Sequence, residues 1–352
     1  MITIEDRLET QYLTGMRAIA ALFVFLIHSG GLGLRDLGPA ASNFVDSAKF
    51  GVAIFFVVSA YCLCLVTDTA WLGKRIDWRA FYIRRVFRIV PLYFAMLAVS
   101  VAYMFARGTV PPDLLPSLIS HLTFFNIVDV AHNNDLWLGE WTIAVEFGFY
   151  ALFPLVLLAV RRAALWTVPI ALVLSTYVLR VVVSLLLWPA HTVSIDQTLV
   201  WYFFAFAFGV AAYTIARTYR LERGVAETVC VVFSLCLLWA WLHPSSPGTD
   251  VQIALGTAGL IVGCANPHTL LARALRTPLL AFLGTISFSI YLLHLTVLSV
   301  LPHTSVGTAL ALAITLGLAT LTHRYIETPF RNWGRALALG NPPAATLAKP
   351  AA

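Results

Sequence analysis

The run from Met16 to Gly33, MRAIAALFVFLIHSGGLG, decides how the chain is read, because an otherwise apolar stretch carries two ionisable groups, Arg17 and His28. At about 100° per residue, the eleven steps between them leave the two side chains roughly 20° apart around a helix axis and about 16 Å apart along it. They share one face. A charge at one end of a membrane helix and an imidazole about three turns further along the same face point to a lined channel into the bilayer, where ionisable groups are costly and functional by default.

Outward from this run the composition agrees. The chain has 352 residues, 60% of them hydrophobic and only 11% charged, against about 25% charged in soluble domains. Windows of about 20 apolar residues, enough to cross a hydrocarbon core of roughly 30 Å, recur from end to end. The expected spans are 15–34, 49–67, 90–106, 138–159, 164–187, 197–216, 225–243, 251–265, 279–301 and 305–322. They make an all-α polytopic helix bundle of about ten spans, a single domain over 1–335, with a Pro-containing tail over 336–352 expected to be disordered. The N-terminus MITIEDRLET has no basic n-region and the first apolar run is too long for a signal-peptide core, so no cleavage is expected. Cys62, Cys64, Cys230, Cys236 and Cys264 all fall in apolar spans without metal-ligand spacing; neither disulfides nor a metal is expected.

An even number of spans puts both termini on one side. Of the 23 Lys and Arg residues, only Arg35, Lys49 and Arg107 fall on outer segments and Arg180 lies inside the fifth span; the other nineteen belong to inner segments or their edge. That bias makes both termini cytoplasmic, and it accounts for the net charge of +6 without a nucleic-acid partner. Arg180 either lines the bundle interior or snorkels towards an interface.

Two connectors stand out. The inner one, 68–90, contains RRVFR, in which Arg84 and Arg88 share a helical face at i,i+4 with Arg85 beside them. Topology alone explains inner arginines, but three so close form a plausible cradle for a cytoplasmic phosphate ligand such as coenzyme A. The outer connector, 108–136, opens with a Pro-Pro turn and ends in DVAHNNDLW, too polar for lipid, and is expected to lie over the outer mouth. Its SLISHLTFFNIV is long enough for an interfacial or re-entrant helix. His121, Asn126, Asp129, His132 and Asp135 there could meet a polar acceptor, with a solvated loop as the default, and Glu140 is read as solvated.

His28 is the leading catalyst, since a neutral imidazole accepts a proton near neutral pH; the alternative is a buried histidine bonded to the backbone. Glu146, well inside the fourth span, could orient that imidazole as a carboxylate does in hydrolase triads, bind substrate hydroxyls, or simply pair with Arg180. Trp137 and Trp141 could be belt residues. Tyr291 and His294, one turn apart in the ninth span, could face the same cavity or the core. No Gly-rich phosphate loop and no Gly-x-Ser-x-Gly elbow occurs.

Taken in order, these pieces resemble the acyltransferase-3 family of integral membrane acyltransferases, bacterial enzymes that mostly O-acylate extracytoplasmic carbohydrates. Arg17 to His28 has the family's Arg, ten residues, His spacing; FFVVSA at 55–60 resembles its Phe-Phe-x-x-Ser-Gly; RRVFRIVPLY at 84–93 its Arg-x-x-Arg-Ile-x-Pro-x-Tyr. WTIAVEFGFYALFP, SFSIYLLH and YIETPFR are similar to its later Trp-Ser-Leu-x-x-Glu, Ser-Tyr-x-x-Tyr-Leu-x-His and Glu-x-Pro elements, while Ala18, Ala60 and Thr142 depart from the family's Gly, Gly and Ser. The resemblance implies a bacterial inner-membrane O-acyltransferase with acyl-CoA, most simply acetyl-CoA, as donor substrate and no permanently bound cofactor. The acceptor it implies is a hydroxyl of a carbohydrate or lipid-linked glycan. His28 and Glu146 would be catalytic; Arg17, Ser59, Arg84, Arg85 and Arg88 would hold the donor; Trp141, Tyr150, Tyr291 and His294 would meet the acceptor. The fused hydrolase-like domain of many relatives is expected to be missing. A transient acyl-histidine is the alternative chemistry. A transporter or flippase for a glycolipid or organic anion is the alternative class, although no paired repeats with broken helices occur; an inactive scaffold is the third.

Overall fold

A computed structural model describes residues 4–67, 76–132, 135–136, 139–162, 167–187, 197–246, 248–302 and 304–340. Helix makes up 84% of it, and no strand occurs among the described residues. In chain order the helices are α1 (Ile4–His28), α2 (Pro39–Ser47), α3 (Gly51–Val66), α4 (Trp78–Arg107), α5 (Leu114–Leu122), α6 (Trp141–Arg162), α7 (Thr167–Leu187), α8 (Leu199–Thr218), α9 (Arg223–Leu242), α10 (Thr249–Cys264), α11 (Leu270–Leu275), α12 (Pro278–Thr285), α13 (Ser287–Val300), α14 (Ser305–Thr322) and α15 (Thr328–Ala338).

Seven stretches are long and apolar enough to cross a membrane among the described residues, and α12 with α13, bent by 68°, makes an eighth. Ile170–Val182 within α7 and Thr249–Cys264 are apolar but shorter. These elements follow the order of the ten expected spans, so the chain is a multi-pass membrane protein with seven or eight full-length spans among the described residues.

One connector is different from its reading. The arginines expected in an inner loop lie on α4 itself, because the Asp77 carboxylate accepts from the Ala80 amide at 2.9 Å and starts the helix early. From there α4 runs 30 residues straight through Pro91, about 45 Å at 1.5 Å per residue. Residues 68–75, which contain Lys74 and Arg75, lie outside the described residues.

Packing centres on α1, which lies against α3, α12 and α13; α3 in turn packs on α8, and α8 on α7 and α10. Backbones approach closely where side chains are small. At Gly284 of α12 a Cβ would fall 1.8 Å from the Thr14 carbonyl oxygen of α1, a separation no side chain can adopt.

The outer connector is more buried than a solvated loop. His121 and Glu140 have no exposure and Asn126 only 1%, which corrects the solvated reading of all three. His121 Nε2 donates to Asp135 Oδ1 at 2.9 Å, since a carboxylate only accepts, and Nδ1 then takes the Tyr93 hydroxyl at 3.2 Å. Burial pushes the Asp135 carboxyl up, but the His121 and Ser117 hydrogen bonds outweigh it and leave it below its ordinary range. At the surface His132 donates from Nδ1 to Asp129 at 2.9 Å and from Nε2 to Asp113 at 3.2 Å. The Asp129 hydrogen bond holds His132 above its ordinary value. Burial of Asp129 is outweighed by the His132 and Ser120 bonds, which hold it below its own.

Two outcomes follow from these contacts. Gly284→Val forces α12 off α1 and costs about 3 kcal/mol or more, read as early loss of folded protein on heating in detergent. The His132–Asp129 contact is fully present below the ordinary histidine pKa and is lost as pH rises through the raised one; it is also lost as pH falls through the lowered Asp129 value. Amide protection over 113–132, corrected for intrinsic exchange, therefore peaks in mildly acidic solution and falls above neutrality.

Candidate active site

Five helices bring their polar residues to a small cavity of about 60 Å³ in the arginine-rich half of the bundle. Arg17 comes from α1, Ser59 and Cys62 from α3, Arg85 and Arg88 from α4, Glu146 from α6 and Tyr291 from α13. The Glu146 Oε1 accepts from the Ser59 hydroxyl at 2.6 Å and from the Tyr150 hydroxyl at 2.5 Å. The Arg85 guanidinium lies over the Phe81 and Tyr150 rings, 5.4 and 5.7 Å from their centroids. Three guanidiniums face one carboxylate. Arg17 Nε and Arg85 Nε are buried with no hydrogen-bond partner among the described residues, and buried donors left unmade are expensive. The cavity is built to receive an anion.

Helical phase selects the arginines. Arg85 and Arg88, about 60° apart around α4, turn into the cavity, whereas Arg84 is exposed and does not line it. The expected Arg84–Arg88 face is thus replaced by Arg85 and Arg88.

A second cavity, of about 480 Å³, opens towards the other end and is lined by His28, Lys49, Trp141, Gln197, Trp201, Tyr202 and Asp250 among others. Val52 and Tyr291 line both cavities and form the partition between them. The Tyr291 hydroxyl donates to the Gly139 carbonyl at 3.1 Å and accepts from Thr142 Oγ1 at 2.8 Å. Gly139 has φ +61°, and a Cβ there would come 3.2 Å from the Tyr291 hydroxyl oxygen, so this latch needs glycine for both conformation and room.

His28, the last residue of α1, is exposed to the second cavity. Its Nδ1 lies 2.8 Å from the Val24 carbonyl and 3.0 Å from His294 Nε2, while His294 Nδ1 lies 2.5 Å from the Tyr291 carbonyl. Carbonyl oxygens only accept, so both Nδ1 atoms carry hydrogen and His294 Nε2 offers its lone pair to His28 Nδ1–H. His28 Nε2 is left unprotonated. That nitrogen can take a proton from a group entering the second cavity.

The sequence-derived candidates divide accordingly. Arg17, Ser59, Arg85, Arg88, Glu146 and Tyr150 gather at the first cavity, His28, His294 and Trp141 at the second, and Tyr291 stands between. Glu146 bonds neither His28 nor Arg180 among the described residues; the imidazole is held by His294 instead. Trp137 lies outside the described residues. Arg180 faces the bundle interior and pairs with Asp250 at 2.8 Å, a contact the sequence reading missed along with Lys49, Gln197, Trp201 and Tyr202. A base inside the fifth span and an acid just before the eighth were the available signal for the pair. Away from both cavities, His121, Asp135 and Glu140 place one ligand atom each within 4.8 Å of one another, and hydrogen bonds already engage them.

The acyltransferase-3 family, described as an acyltransferase domain, matches residues 10–324 of the chain. Among curated proteins the chain is 25% identical over 362 residues to "Putative peptidoglycan O-acetyltransferase YrhL" of Bacillus subtilis (strain 168), covering 92% of this chain and 55% of that protein. It is 23% identical over 364 residues to "Peptidoglycan O-acetyltransferase OatA" of Listeria monocytogenes serovar 1/2a, covering 92% and 56%. The chain thus spans little more than half the length of the curated relatives it matches. No solved structure matches it. A match over most of the chain, joined to the ordered motifs on α1, α3, α4, α6 and α13, settles the family: the chain belongs to the acyltransferase-3 family of membrane proteins.

Proposed function

We propose that the chain transfers an acyl group, most simply acetyl, from acyl-CoA held at the arginine-rich end to a carbohydrate hydroxyl presented at the His28 end. The observation that carries this reading is the pair of cavities meeting at Val52 and Tyr291, one with unpartnered buried guanidinium donors and the other with an imidazole lone pair. The concentration of arginine at one end supports a cytoplasmic donor side and an extracytoplasmic acceptor side in a bacterial cytoplasmic membrane. The relatives' names support a glycan acceptor.

In this mechanism Arg17, Arg85 and Arg88 bind the phosphates of the donor, and the pantetheine arm runs along the face of α1 towards His28. The roughly 16 Å between Arg17 and His28 along the helix is the length that arm has to bridge. Ser59 and Tyr150 hold the Glu146 carboxylate, which keeps the guanidiniums spread over the cavity. His28 Nε2 removes the proton of the acceptor hydroxyl as its oxygen attacks the thioester carbonyl. The C–S bond then breaks, the CoA thiolate takes the proton back from the imidazolium, and neutral His28 is restored. His294, by accepting from His28 Nδ1, keeps the reactive nitrogen at Nε2.

Purified protein with acetyl-CoA and cell-surface glycan tests these roles, with acetate released from the glycan by mild base as readout. His28→Ala lowers transfer by about 10²- to 10⁴-fold while acetyl-CoA still stabilises the protein against heating; full transfer by this variant would falsify the mechanism. Arg85→Gln and Arg88→Gln each raise the KM for acetyl-CoA about tenfold, whereas the exposed Arg84→Gln changes it by less than about twofold. Equal effects at all three would mean that a diffuse basic surface, and not this cavity, binds the donor. Tyr291→Phe removes the bonds to Gly139 and Thr142 and raises acceptor-independent hydrolysis of acetyl-CoA; an unchanged hydrolysis rate would show that the partition does not depend on the latch.

A further inference from the structure

One wall of the second cavity is formed by Asp250, half of a buried charged pair to which the transfer chemistry gives no task. Arg180 on α7, only 9% exposed, donates from Nη2 to Asp250 Oδ2 on α10 at 2.8 Å and from Nε to the Trp201 carbonyl at 2.9 Å. Its guanidinium lies between two aromatic faces, 4.2 Å from the Trp201 centroid and 4.4 Å from that of Phe204. Replacing a buried ion pair by apolar residues is commonly neutral or stabilising, so stability gives no reason to keep this one. An intramembrane charge that stability does not explain points to a ligand.

The surroundings say which kind. Asp250 shares its cavity with His28, Trp141, Gln197, Trp201 and Tyr202, and the Trp141 and Tyr202 rings lie 5.4 Å apart at 31°. A carboxylate has about four lone-pair sites; Arg180 takes one on Oδ2 and the Val251 amide one on Oδ1 at 2.9 Å. The sites left over accept hydroxyls. Because Arg180 already neutralises Asp250, the pair does not favour a cationic acceptor, and an apolar one would leave those sites without donors. A pyranose ring meets every feature: its C–H face lies on an aromatic ring, neighbouring hydroxyls donate to the carboxylate, and the Gln197 amide serves a further hydroxyl or acetamido group.

We propose that Asp250, Trp201 and Gln197 form a sugar-ring subsite that fixes which acceptor hydroxyl reaches His28, with Arg180 as the residue that positions Asp250. The proposal rests on the reading of the second cavity as the acceptor compartment. It adds the residues that choose the acceptor and the class they choose, a neutral polyhydroxylated ring.

The test compares surface-glycan O-acetyl content in cells carrying the wild-type chain, Asp250→Asn, Arg180→Gln, the combined Arg180→Gln/Asp250→Asn variant, or no copy. Thermal stabilisation by acetyl-CoA is measured on each purified protein. Each single change leaves one buried partner unmatched and lowers stability and acetylation together. The combined change removes both charges, so thermal stability and the acetyl-CoA response return, while O-acetyl content stays about tenfold or more below wild type. Wild-type O-acetyl content in the combined variant overturns the proposal, because a purely structural pair would then be the whole explanation. Gln197→Ala and Trp201→Leu change neither charge; losses of roughly threefold or more with donor binding intact support the subsite, and wild-type content in both overturns it even if the combined variant does not accumulate. Cells without the chain keep the two failures apart: undiminished O-acetylation there defeats the acyltransfer reading, and with it this one, whatever the variants do.

Discussion

Three guanidiniums inside a membrane protein, facing a single carboxylate, are the arrangement on which the rest of the architecture depends. Removing ions from water costs several kcal/mol each even after relaxation, so helices that bring Arg17, Arg85 and Arg88 together must offset that cost by packing and by hydrogen bonds. Glu146 supplies the counter-charge that lines the cavity, Glu327 acts on Arg88 from outside it, and Ser59 and Tyr150 fix the Glu146 orientation at 2.6 and 2.5 Å. The balance is incomplete: Arg17 Nε and Arg85 Nε keep no partner among the described residues. Unpartnered guanidinium donors beside one lining carboxylate are what an anionic donor, as proposed, would complete.

The same logic separates the reacting groups. Had the imidazole proposed as base shared the first cavity, three nearby cations would have opposed its protonation and weakened it as a base. Instead His28 stands beyond the Val52–Tyr291 partition, beside a second imidazole that takes its Nδ1 hydrogen. A carboxylate in the position of His294 would stabilise an imidazolium strongly and make proton return to a thiolate harder. A neutral imidazole orients the base without committing it to the charged form. In the proposed reaction the proton must be taken up and handed back within one turnover, and a weak orienting partner suits that requirement.

What could be read in the sequence was whatever a single helix determines. Arg17 and His28 fall on α1 as their spacing requires, and the order of spans holds because apolar run length is a local property. The choice among Arg84, Arg85 and Arg88 was not legible, since it depends on where α4 begins and which way its face turns, and Asp77 sets the first of these from a stretch read as loop. Glu140 and His121 looked solvated because polar residues in a connector usually are; Tyr93, some 28 positions before His121, buries the imidazole by a contact no local pattern announces. The Arg180–Asp250 pair joins residues 70 apart, too far for any local pattern to announce.

The helix that carries Arg17 and His28 also limits how the two compartments can communicate. Because α1 is continuous over Ile4–His28 and packs on α3, α12 and α13, Arg17 and His28, the proposed donor anchor and base, are held at a fixed separation along that element. Any movement that joins the cavities must occur around them. At the partition Tyr291 is held by one hydroxyl to Gly139, just before α6, and to Thr142 in its first turn, two neutral hydrogen bonds worth about 1 kcal/mol net each, a smaller constraint than the packing of the helices. In the proposed reaction the fixed distance along α1 is set against the length of the donor, and the gap at Tyr291 against the passage of its acyl end.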